Sequence, residues 1–593
     1  MLVSEIKNKV KESGLEINKP KKQVYDYVFN KTKSRERALI PANRYNNLYH
    51  IQKFESNKLS YILSKKFISR LPDVDKASEI IDKHIKNNSR IYQVIDYDVD
   101  GITSGAIGFL IFKDIFKYKK FKIIVNNRSW KNGINDTIVN TILEEHNKKK
   151  IGLVITSDHG SSDGSRIKIL KEAGIDVIVT DHHLPSETNS PLGIADAFVN
   201  YKRSDSIFTN DITGTVVLYF TYLYYYLDKL KYNKEDIDKF YNLIPYLMLT
   251  TISDSVDMSD WANRKLTIAG LNMLNSKRKL TSFWEVVRDQ IFQSWFIDQE
   301  FISFNLIAKL NSPGRIDDPT LSFKLMIASN YHKAEELLKE IEVINTKRKR
   351  LQNIAMNNLD IELTNKDITV AYKENITGIQ GILAAKLLFK NNSNIAFCFT
   401  NEGDNTLSGS ARSINKSVSL IEVLNKLKNK DYIIKYGGHA LACGLEIKKE
   451  GLKEFYNDLI EILKTEKPSK THFNIDDIIT DDKILYKTFI ANYTELPYGQ
   501  NYPQPLYVSK FRLVDNKLIK RNGNYFLVGG VKLITDKGVS KNYYKLLYTI
   551  ENEDEIELLK NSKNKDIYIV YNIGLNKYRE NVLNITAKKI YCA

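Results

Sequence analysis

The stretch VIDYDVDG, Val94 to Gly101, constrains this chain more than any other. Asp96, Asp98 and Asp100 alternate with Tyr97 and Val99 directly after the apolar run Ile91–Ile95. That run reads as a buried strand, and the Gly101-Ile-Thr-Ser that follows reads as a turn opening a helix. Alternate residues of an extended segment point the same way. Asp98 and Asp100 therefore reach one small volume, with Asp96 close behind. Carboxylates packed this tightly repel one another unless a cation neutralises them. Hard divalent ions take carboxylate oxygens, which makes Mg2+ or Mn2+ the natural partner.

The same arrangement recurs downstream. Lys122–Val125, Gly152–Thr156 and Asp176–Thr180 are further strand candidates, and helix-like segments such as Ala106–Phe116 and Ile167–Ala173 alternate with them. Alternation of this kind predicts a parallel sheet covered on both faces. In such sheets the site lies beyond the carboxyl ends of the strands. Asp158 stands at one such end, in ITSDHGSSD, and Asp181, His182 and His183 stand at another, in VTDHHLP. Asp254, in LTTISDSVDM, follows the apolar stretch Tyr246–Ile252 and reads as a fourth end. A lone aspartate there is ordinarily a cap or turn former. Capping does not explain four ends that all carry metal-ligand types.

Length and charge bound the rest. A chain of 593 residues, 42% hydrophobic, buries several cores, on the order of two to four domains. Lys and Arg number 88 against 71 Asp and Glu, a net charge of +17, which suits a polyanionic partner. A coding bias toward Lys, Asn, Ile and Tyr would give the same balance, so charge is supporting evidence only. The opening MLVSEIKNKVKESG has no apolar signal core. The greasiest stretch, Val216–Leu227, is too short to span a bilayer. Cys398, Cys443 and Cys592 show neither ligand spacing nor a disulfide framework. These features predict a reduced, cytoplasmic protein with no membrane attachment.

Further along, Asn311, Gly314 and Arg315 sit in AKLNSPGRIDDP, read as a loop where Gly allows close approach and Arg forks onto a phosphate. Alone, that segment is a polar turn with a surface arginine. Residues 332–356 predict a long charged helix with one apolar stripe, Ala334, Leu337, Leu338, Ile341, Ile344, Leu351 and Ile354, and a basic KRKR at 347–350. Residues 367–465 read as a second α/β unit containing GIQGILAAKLL, SGSARS and YGGHALACG. Gly437 and Gly438 would shape a tight turn presenting His439 and backbone amides to an anion. Ser410 and Arg412 are candidate phosphate contacts. From about 470 onward, short β-rich runs (Tyr525–Val528, Tyr543–Tyr548, Asp566–Tyr571) suit a small OB-fold-like barrel whose tyrosines and lysines would meet a single strand. Tyrosine on strands is also ordinary sheet composition.

With these pieces in order, the chain resembles the DHH phosphoesterase superfamily, and within it the RecJ-type single-strand DNA exonucleases. The resemblance rests on DYDVDG, ITSDHG, VTDHHLP, TTISDSVDM, LNSPGRIDDP, SGSARS and YGGHALACG, with LPYGQNYPQPLY and GLNKYRENVLNITAKKI in the tail. It implies an N-terminal helical segment (1–70), a parallel-sheet DHH catalytic domain (71–331), a connecting helix (332–366), a smaller α/β DHH-associated domain (367–468) and an OB-fold-like β-barrel (469–593). It also implies two ions, Mn2+ or Mg2+. Asp98 and Asp100 would bind one each, Asp158 would bridge, and His182 and Asp254 would complete the second, with Asp96 supporting from outside. His183 would contact the scissile phosphate or assist the leaving oxygen, Arg315 would hold a phosphate, and Ser410, Arg412 and His439 would grip the strand across the cleft. Two positions depart from the pattern: His159 follows the bridging aspartate where a small residue or Cys is common, and Cys443 replaces an Ala.

The activity this implies is 5′-to-3′ hydrolysis of single-stranded DNA to 5′ mononucleotides in repair and recombination. The enzyme would be a monomer, with a helicase and a single-strand-binding protein as possible partners. Two other readings compete. A phosphodiesterase for short oligonucleotides or cyclic dinucleotides would not need the C-terminal barrel. A non-catalytic strand-binding scaffold would not need the five ligands.

Overall fold

The computed structural model describes residues 2–130, 133–276, 278–291, 296–391, 393–403, 405–414, 418–438, 440–465, 474–521, 524–550, 554–575 and 583–592. Its first sheet forms around β1 (Arg90–Ile95), which is buried along almost its whole length. A strand covered on both faces carries a continuous apolar run rather than an alternating one. Strands β2 (Phe121–Val125), β3 (Ile151–Ser157), β4 (Asp176–Thr180) and β5 (Ala197–Val199) join it in the order β2-β1-β3-β4-β5, all parallel. Ile95 pairs with both Val125 and Ser157, Ser157 with Thr180, and Thr180 with Val199. The carboxyl ends are therefore level, and Asp96, Asp158 and Asp181 emerge along one edge.

Alternate residues feed two cores. Ile91, Ile95, Leu153 and Ile155 face one, while Tyr92, Val94, Val154 and Val177 face the other. The first core is covered by α1 (Val99–Asp114), α2 (Gly214–Lys229) and α3 (Ile244–Ser253). Two polar side chains inside it satisfy one another: Tyr222 donates to Gln93 Oε1 at 3.0 Å, and Gln93 Nε2 donates to the Ser104 carbonyl at 3.1 Å. One sequence expectation is corrected here. Tyr246–Ile252 lies in α3, so Asp254 arrives at the C-terminal end of a helix instead of a strand end. A short apolar run is compatible with either element, and only packing against the sheet decides between them.

Helix α4 (Tyr331–Asn357) carries the chain out of this unit. Its first half buries Ala334, Leu337, Leu338, Ile341 and Ile344 as expected, but Leu351 and Ile354 are 38% and 58% exposed. The buried face there is instead Asn345, Arg348, Gln352 and Ala355. The helix has left the first core, and at its far end the second unit covers a different, more polar face.

The second unit is a mixed sheet of β6 (Ile361–Thr364), β7 (Ile368–Tyr372), β8 (Ile395–Asn401), β9 (Thr406–Ser413), β10 (Ile433–Gly438) and β11 (Ala442–Lys448), ordered β10-β11-β9-β8-β7-β6. Helix α5 (Gln380–Lys390) packs on one face. Beyond it, α6 (Asp482–Thr494) leads into a closed barrel of β12 (Tyr507–Arg521), β13 (Asn524–Thr535), β14 (Tyr544–Ile550), β15 (Asp566–Leu575) and β16 (Leu583–Cys592). β12 pairs with β13 and β15, β13 with β14, β14 with β16 in parallel, and β16 with β15, an OB-like circuit. Tyr507, Tyr544, Tyr548 and Tyr571 fill the barrel core. The expectation that strand tyrosines face a nucleic acid fails for these four.

The barrel is seated firmly. Leu2, Ile6 and Val10 of the N-terminal helix pack on Val508, Tyr568 and Val570. The guanidinium of Arg44 meets the Asp476 carboxylate at 2.6 Å, both almost fully buried. Buried Arg264 donates to the carbonyls of Pro497 and Glu495 and lies 4.1 Å from the Tyr502 ring centroid. Among the described residues no helix is long and apolar enough to cross a membrane.

Candidate metal centre and substrate cleft

The cluster is assembled from backbone ends. Asp98 caps α1, its Oδ1 accepting the amides of Asp100 at 3.0 Å and Gly101 at 3.1 Å. An N-cap keeps extended geometry while the next residue enters the helix. Asp98 and Asp100 consequently part company. Asp98 lies with Asp96 and Asp158, whereas Asp100 lies with His182 and Asp254, each trio offering ligand atoms within 4.8 Å of one another. Asp100 is held by the amino end of α2, accepting the Gly214 amide at 2.8 Å and the Thr215 amide at 3.2 Å.

Asp158 ends β3 in a left-handed conformation, φ 64°. For a non-glycine residue this is a locally strained backbone of the kind found at functional sites. His182 stands opposite, its Nε2 3.2 Å from Asp158, 3.4 Å from Asp254 and 3.8 Å from Asp100. These approaches are not ion pairs: burial and the neighbouring His183 push His182 down to about 4, so the imidazole is neutral. Burial and mutual repulsion push Asp158 and Asp254 well above the usual carboxylate range, and Asp96 to about 7. Asp158 Oδ1, Asp96 Oδ1 and both ring nitrogens of His182 are buried with no hydrogen-bond partner among the described residues. Buried polar atoms are normally satisfied. Orphaned carboxylate oxygens facing a neutral imidazole have the donor chemistry of a divalent cation site.

Sequence reasoning gave no role to Asp181, yet it organises the motif. It accepts the amides of Ser161 (2.9 Å), His182 (2.7 Å) and His183 (3.2 Å), and its Oδ1 lies 2.8 Å from His183 Nδ1. Burial alone would raise Asp181, but the charge and hydrogen bond of His183 hold it well below its ordinary value. In return, Asp181 outweighs desolvation at His183 and lifts that imidazole to about 9. A cationic, half-exposed His183 thus stands at the cluster's rim.

Beside the cluster lies a cationic wall. Asn311 accepts the Val99 amide at 3.2 Å, tying its segment to α1. Gly314 permits contact with Tyr97, whose carbonyl would lie 2.4 Å from an added Cβ. The segment is two short helices, Ala308–Leu310 and Pro313–Ile316, and not the loop expected. Arg315 donates to the Gly378 carbonyl of the second unit at 3.0 Å. Burial and the fields of Arg128, Arg348 and Arg412 push Arg315 down to about 10. Among the described residues none of these four guanidiniums has a carboxylate partner. Arg348 rests on amide oxygens instead, 2.8 Å from Asn345 Oδ1. Arg128, unremarked in the sequence, lies 4.4 Å from the Tyr97 ring centroid and donates to the Gly314 carbonyl at 3.1 Å.

In the second unit, Ser410 and Arg412 share one face of β9. The Arg412 guanidinium crosses the start of α5, where an added Gly381 Cβ would lie 2.6 Å from Nη2. Gly437 and Gly438 are exposed at the end of edge strand β10. His439 lies outside the described residues.

The DHH family N-terminal domain model matches residues 90–248, and the DHHA1 domain model matches residues 365–465. The chain therefore carries a DHH domain and, after the connecting helix, a DHHA1 domain. Among curated proteins it is 26% identical over 542 residues to the single-stranded-DNA-specific exonuclease RecJ of Haemophilus influenzae, covering 86% of this chain and 89% of that protein. It is 25% identical over 540 residues to Escherichia coli RecJ, with the same coverage. Among solved structures, Thermus thermophilus RecJ in complex with Mn2+ superposes with a TM-score of 0.75 at 18% identity, over 97% of this chain and 79% of that one. That likeness establishes the fold.

Proposed function

We propose that the chain is a metal-dependent exonuclease that hydrolyses single-stranded DNA from its 5′ end to 5′ mononucleotides, in DNA repair and recombination. One observation carries the reading. Asp158 stands between two ligand groups, Asp96 and Asp98 on one side, Asp100, His182 and Asp254 on the other, next to a wall of arginines without a carboxylate partner among the described residues. Two such groups sharing one carboxylate support two divalent ions, Mn2+ or Mg2+, with Asp158 as the bridge. When bound, the ions supply activation of water and stabilisation of the attacking and leaving oxygens.

The protein's own groups do the rest. Asp181 holds the His182 backbone and the His183 imidazole in place and keeps His183 protonated, so that His183 faces the leaving oxygen or scissile phosphate as a donor. The strand's phosphates would give Arg315, Arg128 and Arg348 the anionic partner that these guanidiniums lack among the described residues. Ser410 and Arg412 grip from the second unit, together with His439. None of these contacts reads base identity, as befits an enzyme that degrades any strand. The OB-like barrel supports a long single strand over a short oligonucleotide or cyclic dinucleotide. Cys398 and Cys443, buried and outside any disulfide among the described residues, fit a reduced cytoplasmic setting, where the enzyme would act as a monomer on strands exposed by a helicase or held by a single-strand-binding protein.

The test is a long single strand labelled internally, incubated with Mn2+, with each end blocked in turn. Release of 5′ mononucleotides that stops when the 5′ end is blocked is expected. Cleavage confined to fragments of a few nucleotides, or binding without cleavage, would contradict the proposal.

A further inference from the structure

The segment after β2 leaves the sheet edge as a short turn, Asn126 to Trp130. Its start is tied to the cluster, since the Asn126 amide donates to the Ile95 carbonyl at 2.9 Å, one residue before Asp96. It is stapled internally: the Trp130 amide donates to the Asn127 carbonyl at 2.9 Å, and the Ser129 amide and hydroxyl donate to Asn127 Oδ1 at 3.0 and 2.9 Å. Arg128 is pinned by Tyr97 and the Gly314 carbonyl. Trp130 is thus fixed two residues from a guanidinium that stands beside the ligand cluster. Trp261 and Trp284 are 3% and 0% exposed, whereas Trp130 is 37% exposed. An indole this exposed, two residues from Arg128, is unusual surface chemistry, because its apolar face gains nothing from water.

Nucleobases are the ligands that match it. Every base presents a π-face, and stacking on an aromatic ring is tolerant of sequence. A nucleotide whose phosphate rests on Arg128 carries its base within reach of a side chain two positions on. We propose that Trp130 is a base-stacking platform for the nucleotide attached to the phosphate held by Arg128. The substrate's base would thereby add affinity that the phosphate contacts alone do not supply. This rests on the single-strand reading of the site given above.

The test uses the full chain and fluorescently labelled oligothymidylate, with Ca2+ in place of Mn2+ to suppress cleavage. Affinity is measured by anisotropy while a single tetrahydrofuran abasic residue is moved stepwise along the strand. The unmodified protein should lose about tenfold in affinity when the abasic residue reaches one position. Trp130→Phe, which keeps a ring, should retain that dip. Trp130→Leu, which keeps apolar bulk without a ring, should bind every strand alike and more weakly. A dip of the same size in Trp130→Leu, or no dip in the unmodified protein, overturns the assignment while the nuclease reading stands. Failure of the unmodified protein to bind any of the strands overturns both.

Discussion

Gly214 packs against Asp158 so closely that an added Cβ would lie 2.7 Å from both the Cα and the Oδ1 of Asp158. The amino end of α2, whose first amides hold Asp100, therefore also abuts the proposed bridging carboxylate. Gly214→Ala must displace Asp158, α2, or both. Overpacking of this kind costs about 1–3 kcal/mol of stability, and misplaced ligands lower metal affinity about 10- to 100-fold. Calorimetric Mn2+ titration alongside a thermal melt checks this. An unchanged Mn2+ affinity would show that the contact does not position the site.

Arg348 is buried against amides with no carboxylate partner among the described residues, and burial pushes its pKa down. An uncompensated buried cation destabilises the fold unless an anion arrives to meet it. Arg348→Met should leave stability unchanged or raise it by about 1–2 kcal/mol. The same change should reduce the salt slope of single-strand binding by about one phosphate contact. Denaturant unfolding and a salt titration of binding measure the two effects. Loss of stability with an unaltered salt slope would place Arg348 in the framework only.

Asp176 carries the clearest pH signature away from the cluster. Burial raises it, but Lys83 at 2.7 Å, His84 at 2.9 Å and Lys171 at 3.2 Å more than reverse that and hold it at about 2. A depressed carboxyl contributes stability that is present above its unfolded pKa and lost as pH falls through the folded value. The contribution of Asp176 should therefore disappear between about pH 4 and pH 2. The melting temperatures of the parent and Asp176→Asn should differ at pH 6 and converge over that window. A constant difference down to pH 2 would contradict it.

Much of this was legible because strand ends are written in the sequence. Apolar runs followed by Asp or His located β1, β3 and β4 and their ligands, since a parallel sheet puts all its carboxyl ends on one edge. Asp254 was found for the wrong reason: Tyr246–Ile252 is a helix, and an apolar stretch of that length does not reveal its period. The separation of Asp98 from Asp100 came only from the family resemblance and not from alternation, which holds only while the chain stays extended, and α1 begins between them. Leu351 and Ile354 followed a regular stripe, but periodicity does not tell where a helix passes from one core to the next. The barrel tyrosines showed the same limit, since strand composition does not say which face is inward. Arg128 and Gly214 owe their importance to distant partners, Gly314 and Asp158. The Thr213-Gly214-Thr215 start of an apolar helix was the one available signal for the second.

The central claim is that Asp158 and His182, with the acids around them, hold divalent ions. Mn2+ titration of the parent chain and of Asp158→Asn tests it most directly, because Asn accepts the same left-handed backbone while losing the charge and one ligand oxygen. The parent should take up two Mn2+ per chain, and the variant should lose at least one while melting at a similar temperature. Equal Mn2+ uptake by the two proteins, or none by the parent, would contradict the metal centre and the nuclease chemistry built on it.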